Sequence, residues 1–210
     1  MSTNEWITSE HALAYLARAD RMPHRTEGEA VLLAHVPRDV HRILDLGTGD
    51  GRLLALLLTD RPQAEGVAID FSPTMLQRAQ ERFTDHPKVH VIAHNLNDPL
   101  PNLGHFDAIV SSFAIHHCAH SRKHTLYAEI FAHLEKGAIF CNLEHVASPN
   151  SRLHERFLHA VGHTLSTEDP SNQLLDVETQ LGWFRHLGFT DVDCYWKWLE
   201  LALLIGVKPA

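Results

Sequence analysis

Three groups of residues in this sequence have the types and spacing to do chemistry. The first is Asp45-Leu46-Gly47-Thr48-Gly49-Asp50-Gly51, an acid followed by alternate glycines. Such glycines admit positive φ and let a backbone approach a ligand with no Cβ in the way. The second is Asp70, about 25 residues beyond Asp45 and close to the ~20-residue offset of a ribose-binding acid in nucleotide folds. A carboxylate there can accept hydrogen bonds from both ribose hydroxyls, which an amide does less well. The third is the pair His116-His117, followed by Cys118. A histidine of ordinary pKa, near 6.5, is a usable base at neutral pH, and a rate that depends on it rises with pH through that value. Cys118 reads as a small buried residue and not as a nucleophile.

These groups need elements to hold them. Ile43, Leu44 and Leu46 form a short apolar strand that runs into the glycine turn, and Leu53, Leu54, Leu56, Leu57 and Leu58 suit a buried helix after it. A buried strand, a glycine turn and a helix make the cofactor corner of an α/β sheet, where free N–H groups favour an anionic ligand group. Residues 64–70 read as a second strand. Ser72 and Pro73 then supply an N-cap and first-turn proline to a helix carrying Met75, Leu76, Ala79 and Phe83. Residues 89–93 and 106–112 read as strands three and four. A helix over 121–134 bears Leu126, Ile130 and Leu134 at helical spacing, and Lys136-Gly137 is expected to end it. Strand five covers 138–143. Ser148-Pro149 opens a helix to about Leu165, 167–172 is a polar loop with a hinge at 169–172, and Asp176 caps a helix stopped by Gly188. Two last strands, 189–196 and 198–207, form a hairpin. Ahead of strand one, Ser9 would cap a helix with Leu13, Leu16 and Ala17 on one face, and Thr26-Glu27-Gly28-Glu29 has capping-box spacing for a second.

A dinucleotide site wants G-x-G-x-x-G, but its third-glycine position is Arg52 and Gly51 falls one residue early. With Asp45 before the turn, Asp70 after strand two and paired histidines after strand four, residues 40–145 resemble the class I S-adenosylmethionine (SAM) dependent methyltransferases. The resemblance implies an α/β fold, a three-layer Rossmann-like sandwich around a seven-stranded, mainly parallel sheet of order 3-2-1-4-5-7-6 with strand seven antiparallel. It implies SAM as cofactor, with Asp45, Gly47, Thr48 and Gly49 at the methionine end. Asp70 would hold the ribose, and Phe71 and Met75 would also be cofactor-binding. Asn95 and Leu96 would frame adenine, although the family often has Asp where Asn95 stands, and Ser112 would lie at the end of strand four. His116 and His117 are the catalytic candidates. Adjacent side chains should point apart, so at most one faces the acceptor, and His117 is preferred. The implied reaction is in-line transfer of a methyl group to a small-molecule acceptor. The alternatives are a SAM-binding regulator without turnover and, less favoured, an NAD-linked oxidoreductase.

Residues 1–210 read as one domain, with 1–38 as an N-terminal helical cover and 148–175 as an insertion capping the acceptor. Arg25 could reach a carboxylate. A net charge of −8 argues against a nucleic-acid partner. The three cysteines are far apart and suit reduced thiols. No signal-peptide layout or membrane-length apolar run is evident, so a soluble cytoplasmic protein is expected. Among 18 histidines, His116, His120 and His124, and also His159 and His163, recur four apart. Chance spacing and solvated or backbone-bonded imidazoles account for these, and no metal site is expected. Trp183, Trp196 and Trp198 read as packing residues.

Overall fold

Alternation of apolar side chains decides how the sheet is covered. Along β1 (Arg42–Leu46), Ile43 packs into one buried cluster, while Leu44 and Leu46 pack into a second on the opposite face. The same division recurs in β2 (Glu65–Asp70), β4 (Phe106–Ser112), β5 (Leu134–His145) and β7 (Leu201–Val207). Strands buried on both faces in this way need helices on both sides. One face carries α1 (Arg25–His35), α2 (Arg52–Asp60), α3 (Pro73–Arg82) and α5 (Ser151–Ala160), contributing Leu32, Leu54, Ala79 and Phe157 among others. The other carries α4 (His120–His133) and α6 (Val177–Leu187), with Leu126, Ile130, Leu181 and Phe184. The computed structural model describes Thr8, Glu10, Ala12 and residues 22–210. The helical face expected at Leu13, Leu16 and Ala17 lies outside the described residues.

With β3 (Val89–Ala93) and β6 (Thr190–Trp198), the sheet has seven strands in the order β3-β2-β1-β4-β5-β7-β6. β1 pairs in parallel with β2 on one side and β4 on the other, and β7 runs antiparallel to both β5 and β6. The strand order therefore reverses between β1 and β4, where an open α/β sheet leaves a crevice beyond its carboxyl ends. Leu46, Asp70 and Ser112 end their strands at that crevice.

Several local expectations need correction. Thr26 does not cap α1. The helix begins at Arg25, after His24 in the left-handed region with φ 60°, and Glu29 faces Arg25 and Arg52 instead of the helix start. α4 stops at His133, and Lys136-Gly137 lies within β5, whose register with β4 shifts between Phe106 and Ala108. Lys136-Gly137 was read as a helix stop, but the chain is already extended there. α5 is shorter than its apolar residues suggested and is capped by Asn150, whose Oδ1 accepts from Leu153 N at 3.0 Å. Asp176 caps α6 as expected, and Gly188 ends it at φ 100°.

α1 is held over the sheet from both ends. Its last carbonyls would be orphaned, but the buried Arg61 guanidinium donates to Leu33 O at 2.9 Å, to Pro37 O at 2.8 Å and to Val36 O. At the other end Arg52 donates to both oxygens of Glu29, each at 3.1 Å. The departure from the dinucleotide pattern at Arg52 thus has a structural use: it ties the cofactor-turn helix to the helix that covers it. Cys118, Cys141 and Cys194 are free thiols. No helix among the described residues is long and apolar enough to cross a membrane.

Candidate active site

The glycine turn after β1 is shaped by close approach. Gly47 has φ 65°, and a Cβ there would stand 2.2 Å from Ala114 Cβ. Gly51, at φ 81°, would drive a Cβ to 2.4 Å from the Phe83 ring. Any larger residue would therefore push the turn off the β4 loop or off α3.

Two acids anchor this turn. Asp45 is 1% exposed, and its Oδ2 accepts the Thr48 hydroxyl at 2.6 Å. Burial, with the nearby charges of Asp70 and Asp50, raises its pKa to about 7 against the opposing Thr48 bond. Asp70 accepts Gly49 N–H on Oδ2 at 2.9 Å and Ser72 N–H on Oδ1 at 2.8 Å. Burial raises its pKa as well, although those backbone bonds favour the charged form. Each carboxylate oxygen has two acceptor directions, so Asp70 keeps capacity to accept beyond its bonds to the Ser72, Gly49 and Phe71 backbone.

The crevice is a cavity of about 600 Å³, within the range of small-ligand sites. Asp45, Gly47, Thr48, Gly49 and Asp70 line it, as do Phe71, Met75, Asn95, Leu96, Ser112 and His117. Every residue singled out for the cofactor thus reaches one space. Asp45 Oδ1, Ser112 Oγ and His94 Nε2 are buried with no hydrogen-bond partner among the described residues, and all three residues line the cavity. Buried polar atoms are rarely left so, and they suit a ligand bearing both donors and acceptors.

At the other end of the cavity the two histidines separate in role, though not as expected. They do not point apart. A 3-10 turn over Ile115–His117 follows Phe113, whose φ is 53°, and brings the two rings to 4.0 Å between centroids. His116 is buried with Nδ1 2.8 Å from Glu144 Oε1 and does not line the cavity; its burial holds it well below the ordinary pKa. His117 lines the cavity and meets Ser171 Oγ at 2.9 Å through Nδ1. Burial first, then His116, lowers its pKa to about 3. The expected titration near 6.5 is therefore displaced, and His117 is neutral throughout the physiological range. Burial also lifts the Cys118 thiol to about 11, so it stays protonated at neutral pH.

The segment after β5 completes this end. Gln173 N–H donates to His116 O at 2.9 Å, and the buried Lys123 ammonium bridges His116 O and Gln173 O. Residues 169–172, expected to form a hinge, meet the histidine turn through Ser171. His154 sits between Glu200 and Glu168, 3.0 Å from an oxygen of each. His120 Nε2 meets Leu174 O at 3.1 Å. The four-residue histidine spacings do not converge. His116 belongs to the 3-10 turn, His163 lies beyond α5, and among the described residues no group of three or more His, Cys, Asp or Glu could hold a metal. Ser171, His94 and Phe113 were not read as site residues from the sequence. Ser171 lies 54 residues from His117, and no local spacing signals that contact.

Residues 43–137 match the family described as a methyltransferase domain. An uncharacterized methyltransferase of Mycobacterium tuberculosis is 40% identical over 94 residues, which make up 45% of this chain and 46% of that relative. Residues 43–137 of this chain are thus similar to methyltransferase domains. The match therefore spans about half the length of the curated relatives. The methyltransferase fold extends over more of the chain. The structure of a complex between the Trm112 methyltransferase activator of Haloferax volcanii and a methyltransferase matches with TM-score 0.72 at 21% identity, covering 99% of this chain and 98% of that one. Human N-acetylserotonin methyltransferase in complex with SAM matches with TM-score 0.69 at 16% identity, covering 98% of this chain and 58% of that one.

Proposed function

We propose that this protein transfers a methyl group from SAM to a small-molecule acceptor, with the cofactor along the β1–β2 side of the cavity and the acceptor near His117. The observation that carries this reading is the single cavity lined by Asp45, Asp70, Asn95 and His117 at the point where the strand order reverses, with unpartnered polar atoms inside it. Asp45 would take the methionine ammonium, Asp70 the ribose hydroxyls, and Asn95 with Leu96 the adenine. Bound there, SAM supplies an activated methyl whose bond to sulfur breaks as the bond to the acceptor forms.

The chain's own contribution is to orient the acceptor, exclude water and receive one proton. His117 is neutral but a weak base, since burial lowers it to about 3. It is poorly suited to stripping a hydroxyl or amine before transfer. It suits a proton that methylation has made strongly acidic, as on an oxonium, and so acts after or during bond formation. The acceptor loses that proton to the His117 imidazole, which later releases it to water. The pinned 148–175 segment, which sets Ser171 beside His117, supports its reading as the acceptor cap.

Thermal-shift measurements with SAM, S-adenosylhomocysteine and NAD test the cofactor. A ligand at 100 times its Kd should add ~2.7 kcal/mol of stability. Stabilisation by NAD alone would overturn the proposal. Stabilisation by SAM with no S-adenosylhomocysteine formed from any acceptor would make the protein a SAM binder without turnover.

A further inference from the structure

We propose that Ser171 and Asp169 are positioning residues for His117, fixing its imidazole in the tautomer that carries the proton on Nδ1. This rests on the methyl-transfer reading above. Ser171 Oγ lies 2.7 Å from Asp169 Oδ1, which also accepts Ser171 N–H at 2.8 Å. An ionised carboxylate only accepts, so the single hydroxyl proton of Ser171 points to Asp169. Its oxygen can then only accept from His117 Nδ1, at 2.9 Å, and Nδ1 must carry the hydrogen. In a neutral imidazole the other nitrogen, Nε2, then holds the lone pair. The tautomer is thus set by a hydrogen-bond chain that starts on a carboxylate outside the resembled motifs.

The polarity of this chain separates it from a hydrolase triad, in which serine donates its proton to histidine and becomes the nucleophile. Here serine gives its proton to the acid and receives one from the histidine, so Ser171 has no role as a nucleophile. The surrounding bonds hold the chain in register. Gln173 N–H and Lys123 Nζ both donate to His116 O, and Asn172 Nδ2 donates to Glu168 Oε1 at 3.3 Å. Ser171 and His117 also line the cavity together, so what the relay sets is presented where the acceptor binds. Any positive charge that His117 gains stays on the ring, with Nδ1 keeping its own proton, and is stabilised in place by the Asp169 carboxylate through the Ser171 hydroxyl.

Imidazole ¹⁵N NMR on the full chain tests this directly and needs no acceptor. In the wild type, His117 should show a protonated Nδ1 and an unprotonated Nε2. Ser171→Ala should shift the population toward Nε2–H, and Ser171→Thr should restore the wild-type pattern. Asp169→Ala should invert the tautomer outright, because the freed hydroxyl proton can then be donated to Nδ1. With an acceptor in hand, kcat should fall roughly 10- to 100-fold in Ser171→Ala and recover in Ser171→Thr, while KM for SAM and affinity for S-adenosylhomocysteine stay unchanged. A wild-type His117 protonated on Nε2, or a Ser171→Ala protein that keeps both tautomer and rate, would overturn the proposal. Should Ser171→Ala fail to fold, the wild-type and Ser171→Thr spectra still decide the tautomer. Wild-type protein that binds no S-adenosylhomocysteine would remove the methyl-transfer reading instead, and the spectra would still report on the relay.

Discussion

A cavity-lining carboxyl group whose pKa lies near 7 would make ligand affinity depend on pH, and the size of the effect follows from the structure. Asp45 is fully buried, and its pKa is raised to about 7. If its carboxylate receives the methionine ammonium, only the ionised form binds tightly. Observed affinity should then fall by a factor of about 1 + 10^(pKa − pH), or roughly 100-fold between pH 8 and pH 5. Isothermal titration with S-adenosylhomocysteine, which carries the same ammonium, measures this. Near pH 7, titrations in buffers of different ionisation enthalpy should reveal about half a proton released per ligand bound. Asp45→Asn should bind weakly and without this slope. The sign for stability runs the other way. A folded pKa above the unfolded value of 3.8 means that the folded state holds more protons between 3.8 and about 7. Asp45 therefore costs stability progressively as pH rises through that window, and Asp45→Asn should melt higher than wild type at pH 8 without ligand. Affinity that is flat from pH 5 to pH 8, or a slope that survives in Asp45→Asn, would refute the assignment.

Three further outcomes follow. Asp70→Ala should weaken SAM binding by roughly 10- to 150-fold in calorimetry, since charged hydrogen bonds are worth ~1.5–3 kcal/mol. It should also lower Tm, because Gly49 N–H and Ser72 N–H lose their acceptor. His117→Asn should cut turnover by ~10²- to 10⁴-fold with SAM affinity intact, and the wild-type rate should show no inflection near 6.5 because burial lowers that imidazole to about 3. Burial lowers the pKa of His154, but its bonds to Glu200 and Glu168 outweigh this and raise it. That clamp contributes stability below pH 6.5 and loses it as pH rises through the raised value, so hydrogen exchange over 148–172, corrected for intrinsic rates, should quicken toward pH 9 and do so less in His154→Ala.

The parts of this structure legible in the sequence are those encoded by short periods. Ile43, Leu44 and Leu46 announce a buried strand, Gly47, Gly49 and Gly51 a turn, and the following leucines a helix, because each signal repeats within a few residues. Strand order was not available from periodicity and came from the resemblance to a family, with which the structure agrees. Boundaries failed where tertiary contacts override local signals. Glu29 has capping-box spacing after Thr26, but its carboxylate is shared by Arg25 and Arg52. Lys136-Gly137 looks like a helix stop, yet β5 has already begun at Leu134. The acceptor end was the least legible, since the contacts between His117 and Ser171, and between His154 and Glu200, join residues 54 and 46 positions apart. A depressed histidine pKa could not be read at all, because it depends on burial and not on residue type.

SAM bearing a CD₃ group shows whether the cavity carries out methyl transfer. Protein is incubated with the labelled cofactor and fractionated small-molecule extracts, and products are read by mass spectrometry alongside S-adenosylhomocysteine. A compound that has gained one CD₃ in place of one hydrogen is expected. It should form in step with S-adenosylhomocysteine in the wild type and be strongly reduced in Asp70→Ala and His117→Asn. Tight SAM binding with no labelled product above the Asp70→Ala background in any fraction would contradict methyl transfer by this cavity.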